Sequence, residues 1–67
     1  MREQLLDTLR VYFSSHIVKH KMNVEIMLKN PMAIHDHTDW MDAVEKEMAS
    51  IAEYEDKLEV LNKHFPK

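Results

Sequence analysis

Four side chains able to hold a metal ion or carry a proton crowd one short segment of this sequence: His35, Asp36, His37 and Asp39. Imidazole and carboxylate are ligands for zinc and similar ions, and a His-x-His spacing in a loop can bring both rings to one ion. The alternative is structural, with Asp36 capping a helix and the rings solvated or packed on Trp40. A recognisable metal motif carries three or four ligands at set spacings. No metal site or cofactor is therefore assigned, and His35, His37 and Asp39 are retained only as candidate ligands.

His16 and His20 form a second constellation, four residues apart and so on one face of a helix. Glu55 comes near His16 if the chain folds back with Asn30 opposite Thr38. Metal sites in bundle cores use such sets, but they take Glu from several helices and a Glu-x-x-His element, which the second half of this sequence lacks. Two other readings stand beside the metal. One is a polar layer that sets register and subunit number at a cost in stability. The other is an interface that weakens as His16 and His20 are protonated below about pH 6.

Catalysis finds less to work with. Ser14 and Ser15 adjoin His16 in sequence, whereas a nucleophile needs a base opposed to it within hydrogen-bond reach and a third group to orient that base. With no glycine in the chain, no Gly-rich phosphate loop can form. The expectation is a protein that is not an enzyme.

The elements that must position these groups are two long helices. In 67 residues there is no Gly, and Pro occurs only at Pro31 and Pro66, so one internal breaker divides two stretches of helical periodicity. The spacing predicts a helix over about 2–29, a corner over 30–37 and a second helix over about 38–64, all in one domain. On the first helix Leu6, Leu9, Phe13, Ile17, Val24, Met27 and Leu28 form an apolar stripe, widened by Leu5 and Tyr12, with His16, His20 and Asn23 on or beside it. Asn30, preceding Pro31, is pushed out of the helical region, and Met32 and Ile34 are expected to cover the end of the core. Thr38 or Asp36 is expected to cap the second helix. Its stripe is Met41, Val44, Met48, Ile51, Leu58 and Phe65, with Trp40, Ala52 and Leu61 at the margins and Glu55 and Asn62 on it. Acid-first pairs four apart, Glu25–Lys29, Asp42–Lys46, Glu53–Lys57 and Glu59–Lys63, mark the solvent faces.

Size and charge narrow the role. A chain this short rarely buries enough apolar surface without a staple. Cysteine is absent, which excludes a disulfide and leaves self-association. The net charge is −3 with no basic tract, which argues against nucleic acid as a partner. No apolar run approaches the roughly 20 residues of a membrane span, and the N-terminus does not resemble a secretory signal. A cytoplasmic location is the default expectation. Residues 1–30 carry a net charge of +2 and residues 31–67 one of −5, in keeping with two halves that lie together.

The run Asn23-Val24-Glu25, then Leu28, Asn30-Pro31, Ile34, His37 and Asp39, and later Ile51-Ala52-Glu53-Tyr54 with Leu58, resembles small uncharacterised proteins of tailed phages that infect marine cyanobacteria. That resemblance implies a virion component or a small protein acting on a host or phage partner, in the host cytoplasm or the virion, and no established activity.

The expected fold is all-α: a two-helix antiparallel hairpin, pairing as a homodimer into a four-helix bundle. Leu6, Leu9, Phe13, Ile17, His20, Val24, Met27, Met41, Val44, Met48, Ile51, Leu58 and Phe65 are the expected interface. The expected role is structural or adaptor-like. The alternatives are a regulatory binder or inhibitor that docks a helix on another protein, with Met22, Met27, Met41 and Met48 as an adaptable groove and Trp40 as anchor or end plug, and a metal-binding bundle.

Overall fold

The computed structural model describes residues 1–30 and 37–66, His37 by its backbone alone. Two α-helices, α1 (Arg2–Lys29) and α2 (His37–His64), pack antiparallel as a hairpin. Each has 28 residues and therefore runs about 42 Å, which makes a rod with principal extents of 48 × 15 × 12 Å. The expected corner residues Met32, Ile34, His35 and Asp36, and the side chain of His37, lie outside the described residues.

α1 ends where proline demands it. Asn30 leaves the helix at φ −132° and ψ 59°, while its backbone N–H and its side-chain amide both donate to the Ile26 carbonyl, at 3.1 and 3.3 Å. These bonds satisfy a carbonyl left without a partner at the helix end. α2 begins one residue earlier than its spacing predicts, so Thr38 stands inside the first turn and is not the cap. Of the four acid-first pairs, Glu53–Lys57 closes, at 3.1 Å.

The packing seam follows alternating steps of four and three on both helices. On α1 it is Leu6, Arg10, Phe13, Ile17, His20, Val24 and Met27; on α2 it is Trp40, Val44, Glu47, Ile51, Tyr54, Leu58 and Leu61, every one buried or half-buried. This spacing, averaging 3.5 residues, keeps two helices in contact along their length. Among the described residues four apolar side chains, Leu6, Val24, Val44 and Leu61, are buried within the single chain. Leu61, placed at a margin by its spacing, is the most enclosed of them at 5% exposure. The indole of Trp40 closes the corner end by donating to the Met27 carbonyl at 3.1 Å.

Candidate functional site

The middle of the seam is polar, and its residues come from both helices. His20 and Glu47 occupy facing seam positions, with His20 Nδ1 2.5 Å from Glu47 Oε2. Asn23, one turn along α1, donates its amide to both oxygens of the same carboxylate at 3.2 Å. The His20 and Glu47 side chains are only 14% and 20% exposed. The His20 hydrogen bond holds the Glu47 carboxyl below its ordinary range. Partial burial pushes the other way, and the Asn23 amide and the electrostatic influence of His20 and Lys19 reinforce the lowering.

Beside this layer lies a stack of rings. His16 lies flat on Tyr54, with centroids 4.2 Å apart and an angle of 8° between planes, and meets the edge of Tyr12 at 4.7 Å. His20 stacks at 6.2 Å from both His16 and Tyr54. On Tyr54, Lys57 places its ammonium 4.7 Å from the ring centroid, a cation–π contact. Nδ1 of His16 is buried without a hydrogen-bond partner, which costs roughly 1–3 kcal/mol and is offset in part by ring stacking of about 0.5–1.5 kcal/mol.

The open end of the hairpin is tied by arginine. Arg10, a seam residue, donates from Nε to the Asn62 side-chain oxygen at 2.8 Å and from a terminal nitrogen to the Phe65 carbonyl at 3.3 Å, and it pairs with Asp7 at 3.4 Å. Arg2 reaches the Pro66 carbonyl at 3.4 Å. Both place positive charge at the negative end of the α2 dipole. Next to this tie lies an apolar groove of about 510 Å³, lined by Leu6, Leu9, Phe13, Val60, Leu61 and Phe65 together with Asp56 and Lys57. A smaller depression of about 390 Å³ on the back of α1 is lined by Val18, Met22 and Ile26 among Lys21, Glu25 and Lys29.

The residues expected to form an interface separate into three groups. Leu6, Val24 and Val44 are buried between α1 and α2, so the hairpin itself uses them. Phe13, Ile17, His20, Met27, Ile51 and Leu58 are half-buried in the same seam. Leu9, Met41, Met48 and Phe65 are exposed. Asn30 and Thr38 do stand near one level, as the His20–Glu47 and Met27–Trp40 pairs show. Yet the side chain brought against His16 is Tyr54, while Glu55 points to solvent. Glu47, Tyr54 and Arg10 are seam residues that the apolar pattern misses, although the alternating three–four spacing from Trp40 to Leu61 marks the first two as seam positions.

Among the described residues no group of three or more His, Asp or Glu side chains could hold a metal ion, and no helix is long and apolar enough to cross a membrane. The candidate ligands His35 and His37 lie outside the described side chains, and Asp39 is exposed in the first turn of α2. No protein-family model matches the chain, and no match is found among curated proteins or solved structures.

Proposed function

We propose that this chain is a non-enzymatic assembly element, a helical hairpin that completes its core by pairing with a second copy and serves a structural or adaptor role. One observation carries the proposal. The hairpin exposes 5366 Å², whereas a compact folded protein of 8.0 kDa exposes about 4,450 Å² by surface–mass scaling. The excess of about 900 Å² is close to the 800 Å² or so that each partner buries in a standard interface. It is apolar in character: thirteen large hydrophobic side chains are exposed among the described residues, against four that are buried. Paired hairpins would form a four-helix bundle, and the acidic outer side of α2 would remain free for another protein. The likeness to tailed-phage proteins supports placing that role in a virion or at a host partner.

Light scattering across a concentration series tests the proposal. The expected result is a mass of twice 8.0 kDa at micromolar concentration and a melting temperature that rises with concentration, since association stabilises the folded state by mass action. A single chain at every concentration, melting cooperatively at a fixed temperature, refutes it.

A further inference from the structure

The self-association just proposed is the premise for a more specific assignment, the face on which the second copy sits. The seam leaves two long sides of the hairpin open. On one, steps of three and four along α1 align Leu5, Leu9 and Tyr12. The groove that Leu9 shares with Val60 and Lys57 places α1 and α2 residues together on that side. The opposite side carries Met41 and Met48 in the same periodic rows as Glu45, Glu55 and Glu59, with Asp7, Glu25 and Lys21 from α1.

Charge separates the two sides. A twofold interface brings each patch against its own duplicate. Pairing through the methionine side would set five carboxylates, of which Asp7 is already paired with Arg10, and one ammonium against an identical array, and like charges held opposite one another disfavour the contact. The Leu9–Val60 side is nearly balanced, with Arg2, Lys19, Lys46 and Lys57 against Asp39, Glu53 and the groove-lining Asp56. Its apolar groove also lies at the open end, whereas the corner half of the same side presents Lys19, Asn23, Asp39 and Lys46.

We infer that a second copy of this chain docks on the Leu9–Val60 side, with the twofold axis running along the rod and the two open ends together. In that arrangement α1 lies over α2 of the second copy at the register the hairpin already uses. Leu9 comes level with Val60 of the second copy, and groove covers groove. Turning the axis across the rod would instead lay each groove over the polar corner half.

Two measurements test this. In the first, the double substitution Leu9→Glu with Val60→Glu is expected to weaken dimerisation roughly 100-fold, tenfold for each substituted position, while Met41→Glu with Met48→Glu changes it less than about threefold. Leu9 and Val60 are 40% and 44% exposed in the hairpin, so circular dichroism should show both variants helical. In the second, nitroxides are placed at Glu3→Cys and, separately, at Lys29→Cys in the otherwise native chain. Side-by-side packing at interhelical spacings of 8–10 Å gives spin–spin distances under about 30 Å at both ends. Distances near the 42 Å or so of helix length at either end overturn the orientation. A dimer weakened only by the methionine substitutions overturns the face but leaves self-association standing. A wild-type chain that never dimerises removes both.

Discussion

Substituting Glu47→Gln is expected to destabilise the hairpin at neutral pH and to lose most of that effect in acid. Glu47 accepts three hydrogen bonds inside the seam, one from His20 and two from Asn23. The amide that replaces it has one oxygen instead of two and no charge, so at least one Asn23 bond goes and an N–H is turned toward donors. Hydrogen bonds to charged groups contribute about 1.5–3 kcal/mol each, and residual exposure of the pair argues for the low end, a loss of about 2 kcal/mol. For a domain of this size that corresponds to a fall in melting temperature of roughly 8–16 °C.

The pH dependence has a definite sign. The Glu47 carboxyl is depressed below its ordinary value of 4.5. Its stabilising contribution is therefore fully present above the unfolded value and is lost as pH falls through the lower folded value. Thermal melts of wild type and E47Q, followed by circular dichroism from pH 3 to 7 at one fixed concentration, should show two curves that are separated at pH 6–7 and converge below about pH 4.5. Equal stability at pH 6, or a gap that persists unchanged to pH 3, would mean that the seam gains nothing from holding Glu47 as an anion.

Leu61→Ala should cost about 2–4 kcal/mol in the same melts, because Leu61 is the most enclosed of the described apolar side chains, and a loss below about 1 kcal/mol would place the core elsewhere. Arg10→Met retains an apolar stem but frees Asn62 and the Phe65 carbonyl; amide exchange in the last turn of α2 should accelerate severalfold while the middle of the seam is unchanged.

The two helices and their limits could be read from the chain to within a residue, because a proline and the lack of glycine act locally. The seam was legible on α1, where Leu6, Phe13, Ile17, Val24 and Met27 are apolar and correctly spaced. On α2 the same spacing is occupied at two of its positions by Glu47 and Tyr54, so a stripe traced through apolar residues alone moves one position along, to Met48. One residue is a turn of about 100° around a helix, enough to carry Met41 and Met48 to 62% and 53% exposure. Pairing His16 with Glu55 failed by the same single step in the same direction, since the seam residue that meets His16 is Tyr54.

Local chemistry thus settled the period of each helix and where it stops, since backbone propensity and proline sterics act within a few residues. The phase, meaning which stripe turns inward, was decided only when α1 and α2 packed. Each helix offers more than one apolar row, and the choice among them depends on partners up to 64 residues away in the chain, such as Pro66 for Arg2. The carboxylate of Glu47 sits in the seam because His20 and Asn23 meet it there, a compensation that no window of α2 alone contains.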